Sequence, residues 1–195
     1  MFVVYLTEFS KETFKIAKAH GWHNQNYSDA HWSAMMLTEL SEAIQAERQG
    51  FHTTPKAVCA AMEEAFPHGL SNPCSGNLGI FTSMVKGTVE EELADFVIRI
   101  CDFVAMKGNS LFYEVLLDKS RFKRLSLTEF VTDLVKWLPD TVESKPQTTV
   151  ISNIQVAISN VQAYLDVRSF DMINLLLLKQ EYNKTRAYKH NNKLF

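Results

Sequence analysis

No stretch of this 195-residue sequence alternates apolar and polar residues with period two between turn signals. Apolar residues recur instead at intervals of three and four, the spacing that lines one face of an α-helix. The clearest case lies between Thr88 and Gly108, where Leu93, Phe96, Val97, Ile100 and Val104 form a continuous stripe. Thr88 and Glu91 precede it at the spacing of a capping box. A second stripe, Met35, Met36, Leu40, Ala43 and Ile44, predicts a helix from Ser28 to Gln49 closed by Gly50. With only 7 glycines and 5 prolines, the chain favours long helices over a turn-rich β architecture. The expected fold class is all-α.

Further helices are predicted from Ser10, as N-cap, to His20 with Gly21 as terminator, from Pro55, over 126–138 before Pro139, over 148–165, and from Ser169 to Tyr188. The length suits a single domain, 1–195, with two additions. Residues 51–87 read as an irregular insertion around one short helix, and 109–168 as an extra helical insertion before the last helix. A net charge of -2 gives no basic field for nucleic acid or an acidic membrane surface. No apolar run is long enough to span a bilayer, and Met1 to Leu6 is too short for a signal-peptide core. Cys59, Cys74 and Cys101 are odd in number and follow no recognised spacing. They fit a reducing compartment, hence a cytoplasmic location, and are expected to be packing residues.

Two hexapeptides on the two best-specified helices share one pattern: ELSEAI at 39–44 and ELADFV at 92–97. Positions three apart are neighbours on a helix, so Glu39 with Glu42 and Glu92 with Asp95 each project two carboxylates together. Leu40, Ala43 and Ile44 flank one pair, and Leu93, Phe96 and Val97 the other. Packing through these apolar residues brings four carboxylates to one cleft, where they are costly without cations. An all-oxygen donor set suits a hard divalent ion such as magnesium, which keeps positions for water and phosphate oxygens. A di-iron carboxylate bundle requires Glu-x-x-His on two helices, and neither pair has the histidine. Either pair alone is more often a solvated helix face.

On the last helix Lys179, Asn183, Arg186 and His190 follow at spacings of four, three and four and share one stripe. Such a stripe offers phosphate contacts, or else is a basic tail stabilised by the helix macrodipole. Trp22, Tyr27 and Trp32 offer stacking surfaces for a base or, more commonly, core staples. His20, His23 and His31, and His52 and His68 with the cysteines, lack zinc-ligand spacing. There is no Gly-rich phosphate loop and no nucleophile elbow.

Taken together, TELSEAIQAERQG at 38–50, VKGTVEEELADFVIRICD at 85–102 and KQEYNKTRAYKH at 179–190 resemble, in order, the blocks of the MazG-like all-α nucleoside triphosphate pyrophosphohydrolases. The resemblance covers roughly a quarter of the chain. It implies a MazG-like helical bundle with additional helices inserted between the core helices. It implies that Glu39, Glu42, Glu92 and Asp95 bind Mg2+, with Mn2+ as substitute, and form the catalytic set, Glu39 orienting the attacking water. Lys179, Asn183 and Arg186 are implied to approach the phosphates or sugar. The implied reaction cleaves an NTP or dNTP to monophosphate and pyrophosphate, for house-cleaning of non-canonical nucleotides or control of nucleotide pools, in a homodimer or homotetramer. The chain departs from the pattern at Thr38, where many relatives carry a further Glu, and at His190-Asn191-Asn192, where they often have His-Gly. Thr38 and the long insertions motivate the alternative, a catalytically weakened helical nucleotide-binding or interaction module. A further alternative is a phosphohydrolase for a non-nucleotide pyrophosphate.

Overall fold

The computed structural model describes residues 2–74, 76–111, 118–138 and 147–188. Their regular structure is entirely helical. In chain order the helices are α1 (Phe2–Ala19), α2 (Asp29–Gln49), α3 (Pro55–Ala65), α4 (Val89–Met106), α5 (Leu127–Val135), α6 (Gln147–Asp166) and α7 (Met172–Thr185). A π-helical turn, Phe81–Val85, leads into α4, and a 3-10 turn, Lys119–Lys123, precedes α5.

The caps explain most of the boundaries. Ser28 Oγ accepts from the His31 N–H at the start of α2, and Gly50, with φ of 69°, ends that helix in the left-handed region. Thr54 Oγ1 accepts from Ala57 N at the start of α3. Ser126 and Glu129 form a reciprocal capping box on α5. Three expectations are corrected. Ser10 is not an N-cap: α1 already begins at Phe2, and the Ser10 hydroxyl donates back to the Leu6 carbonyl at 2.7 Å. Thr88 and Glu91 form no capping box, because the Thr88 hydroxyl donates to Val85 O while Glu91 Oε2 accepts from Gly87 N. The last helix starts at Met172 with Asp171 as cap, since Ser169 has a φ of 68° that no right-handed helix accommodates.

α4 is the central element. It packs most extensively against α2 and α1, and also against α7 and α6. Leu93, Phe96, Val97, Ile100 and Val104, the predicted stripe, are all buried, and so is most of the rest of the helix. Between Val89 and Val104 the two residues that are not buried are Asp95 and Arg99, one turn apart. α7 closes the bundle over α3 and α4, burying Leu175, Leu176 and Leu178. α5, α6 and the 3-10 turn share this core: Phe130 stacks on Tyr164 and meets Phe122 edge-on, and all three belong to the same apolar cluster as the α4 stripe. Of the cysteines, Cys101 is buried, as expected, whereas Cys59 and Cys74 are exposed and do not pack.

The end of α7 is strapped to the loop after α1. His20 Nε2 lies 2.9 Å from the Arg186 carbonyl, and Asn24 Nδ2 donates to the Tyr188 hydroxyl at 2.7 Å. Gly21, with φ of 83°, sits directly under the Tyr188 ring, where a Cβ would collide with it. Gly50 has a similar φ but open space around it. Each is therefore expected to cost about 1–2 kcal/mol on substitution by Ala from the left-handed backbone alone. Gly21→Ala should cost more than Gly50→Ala in urea denaturation, and the excess should vanish in a Tyr188→Ala background.

Candidate metal centre and adjoining cleft

Because α4 is buried on nearly every side, its acidic first turns lie inside the molecule. Glu90, Glu91 and Glu92 are all buried, as is Glu39 on the facing side of α2. Oxygens of Glu39, Glu92 and Asp95 lie within 4.8 Å of one another, the one such cluster of three among the described residues. Three of the four predicted carboxylates are thus brought together. Glu42 is exposed at the rim, although its charge still reaches Glu39 and Glu92. Of the described histidines and cysteines, none converges in such a group.

Two cations enter the acidic cluster. Arg99 Nε donates to Glu39 Oε1 at 2.7 Å. Lys179 Nζ reaches across from α7 to Glu91 Oε1 and, at 2.5 Å, to Asp95 Oδ2. Lys179 is therefore buried and engaged at the back of the cluster, while Asn183 and Arg186, one and two turns on, line a cleft. His190 lies outside the described residues. Glu91 and Arg99 escaped the sequence reading. Their signals were present: a third consecutive Glu in VEEELAD, and a lone cation in VIRICD four residues after Asp95.

Burial sets the electrostatics. It pushes Glu92 up to about 9, helped by the charges of Glu91 and Asp95 and only partly opposed by Lys179. Burial also pushes Glu39 up to about 7 in spite of Arg99 beside it. Glu91 is raised by burial and by Asp95. Burial lowers Lys179 and Arg99, but their carboxylate partners outweigh it and hold both above their ordinary values.

The cleft runs from Asp95 and Arg99 between α1, α4 and α7 and is partly open to solvent. Trp22 lines it, whereas Trp32 is buried and stacks on His23 and Tyr27 packs against His31. Asp102 forms one wall and is held by His23 Nε2 at 2.8 and 3.1 Å. On the opposite wall the Asn183 side-chain oxygen is buried without a hydrogen-bond partner.

The residues fit a hard divalent cation. The donor set is all oxygen, and Glu92 Oε2 is buried with no hydrogen-bond partner, a state that a cation relieves. Comparison of the chain with family models, with curated proteins and with solved structures gave no match.

The raised carboxyls make stability depend on pH with a definite sign. A folded-state pKa above the ordinary 4.5 means that folding takes up protons, so stability is full below about pH 4.5 and is lost as pH rises through 7 and 9. The metal-free protein is expected to lose several kcal/mol between pH 5 and 9 from these groups. Calorimetric melts should show the loss, Glu92→Gln should flatten it, and 10 mM (roughly 100-fold over a typical affinity) Mg2+ should restore stability at pH 8 but not at pH 5. An unchanged slope in Glu92→Gln would remove the electrostatic account.

Proposed function

We propose that the chain is a magnesium-dependent hydrolase that cleaves a nucleoside triphosphate between its α and β phosphates. The observation that carries this reading is the convergence of Glu39, Glu92 and Asp95, the last of which also lines a cleft walled by Arg99, Asn183 and Arg186. The resemblance of residues 38–50, 85–102 and 179–190 to the MazG-like blocks points the same way.

Glu39, Glu92 and Asp95 would hold the cation, with Glu42 at the rim. Bound magnesium would supply positive charge to the phosphate oxygens and lower the pKa of water nearby. The chain's own part follows from its geometry. Arg186 offers a planar fork to phosphate oxygens, and the Asn183 oxygen can accept from a sugar hydroxyl or an amino group. Trp22, on the same cleft, provides a stacking face for a base. Lys179 fixes Asp95 and Glu91 rather than reaching outward, so its role is to position the carboxylates. Water attacks the α phosphorus, its proton passes to a carboxylate, and pyrophosphate departs with the bridging oxygen. Glu39, beside the cluster on α2, is the carboxylate proposed to orient that water.

A second reading, a nucleotide-binding module without turnover, draws on two observations. The cluster is already partly neutralised by Lys179 and Arg99, and the Thr38 hydroxyl is turned back onto the Ala34 carbonyl at 3.0 Å. No helix among the described residues is long and apolar enough to cross a membrane. Exposed Leu37, Phe51, Leu70 and Met84 leave apolar surface for the homodimer or homotetramer that the resemblance implies.

Purified protein with Mg2+ and a panel of canonical and modified nucleotides, assayed for pyrophosphate, separates the readings. Turnover of at least one nucleotide is expected, with kcat/KM lowered about 100-fold or more by Glu39→Gln or Asp95→Asn. Calorimetric binding without product would favour the second reading. Turnover of alkyl pyrophosphates as fast as of nucleotides would replace both with a non-nucleotide pyrophosphohydrolase.

A further inference from the structure

The two cations in the acidic cluster differ in a way that the preceding reading leaves unexplained. The Lys179 side chain is 5% exposed and bridges two carboxylates behind the cluster. The Arg99 side chain is 32% exposed and lines the cleft. It stands one turn after Asp95, and these are the two residues through which the otherwise buried stretch Val89–Val104 meets solvent. A cation needed only to neutralise buried acids has no reason to occupy that window.

The chemistry of the side chain adds a second step. Nε holds Glu39, so the far edge of the planar guanidinium lies away from that bond. A guanidinium fork matches the paired oxygens of a phosphate, and it stays charged throughout. Arg186, also lining the cleft, stands on a different helix end. Charge balance supplies the third step. Glu39, Asp95 and Asp102 face Arg99, Glu91, Glu92 and Asp95 face Lys179, and Glu42 adds its charge at the rim. Once a divalent ion sits on Glu39, Glu92 and Asp95, the attraction that fixes Arg99 on Glu39 is largely replaced; Asp102, the other carboxylate acting on Arg99, is already held by His23, which leaves a phosphate in the cleft as the anion for Arg99 to take.

We infer that Arg99 is a phosphate-contacting catalytic residue, a resident cation that leaves Glu39 for polyphosphate oxygens when a divalent ion takes its place. This rests on the reading of the cluster as a divalent-cation and polyphosphate site. It goes beyond that reading by assigning Arg99 two partners in sequence and by coupling ion entry to phosphate capture.

The test separates ion binding from phosphate binding. Mn2+ affinity is measured by the paramagnetic resonance of free ion, and inorganic tripolyphosphate affinity by calorimetry at saturating Mn2+, for wild type, Arg99→Gln and Arg99→Lys. For Arg99→Gln, Mn2+ affinity should be unchanged or about 3- to 10-fold tighter, because a competing positive charge is gone. Tripolyphosphate should bind about 10- to 100-fold more weakly, and turnover should fall at least as much. Arg99→Lys, which keeps the charge without the fork, should lie between. Parallel loss of Mn2+ and tripolyphosphate affinity in either variant would overturn the inference, since Arg99 would then only organise the carboxylates. Unchanged tripolyphosphate affinity in Arg99→Gln would overturn it as well, with the proposed function intact. Wild type without Mn2+ affinity would overturn both. Should Arg99→Gln fail to fold, the Arg99→Lys comparison decides by the same criteria.

Discussion

Burial of α4 on nearly all sides is the constraint from which the rest of this molecule follows. A helix that central is ordinarily apolar all round. This one carries Glu90, Glu91, Glu92 and Asp102 among its buried residues. Isolated carboxylates in such surroundings cost several kcal/mol each, and the fold meets that cost locally. His52 Nδ1 and the Thr53 N–H hold Glu90, His23 holds Asp102, and Lys179 holds Glu91. The positions of the neighbouring elements are tied to these contacts. α7 lies where Lys179 reaches two α4 carboxylates, and α2 lies where Glu39 meets Arg99.

Much of this was legible in the sequence wherever a local rule had no competitor. Gly50 and Pro55 are local signals that mark the end of α2 and the start of α3 as expected, and α5 begins beside the expected start at 126. The α4 stripe and the pairing of its acids with Glu39 were legible for the same reason, since periodicity fixes which residues share a face. Where the sequence reading failed, a distant group had intervened. Thr88 and Glu91 have the spacing of a capping box, but a lysine 88 residues further on draws Glu91 inward, and its other oxygen settles on Gly87. Ser10 reads as a helix start because polar residues often are, yet the turn before it is already helical.

The site was legible to a similar depth. Spacing alone placed Glu42 beside Glu39, but could not say that the second member of the pair faces outward while Leu40 and Ala43 face in. Likewise the stripe from Lys179 to Arg186 reads as one set of phosphate-facing cations. Burial divides it: Lys179 follows Leu178 into the core, and Asn183 and Arg186 remain at the cleft as the helix ends. Arg99 was overlooked because a single cation in an apolar run carries no motif. Its meaning comes from Glu39, which is 60 residues away.

Two buried oxygens without partners give the cleft a direction. Glu92 Oε2 and the Asn183 side-chain oxygen are both acceptors, and both are left unsatisfied by the chain itself. A polyphosphate brings only further acceptors, so it can satisfy neither and is repelled by the carboxylates at the same time. On the function proposed above, a cation would accompany it at Glu92, and a donor-bearing group such as a sugar or a base would suit Asn183. Arg99 belongs to both surroundings, on the helix that carries Glu92 and on the cleft that Asn183 lines. In the proposed ordering, cation then phosphate then nucleoside, both of these acceptors would gain a partner.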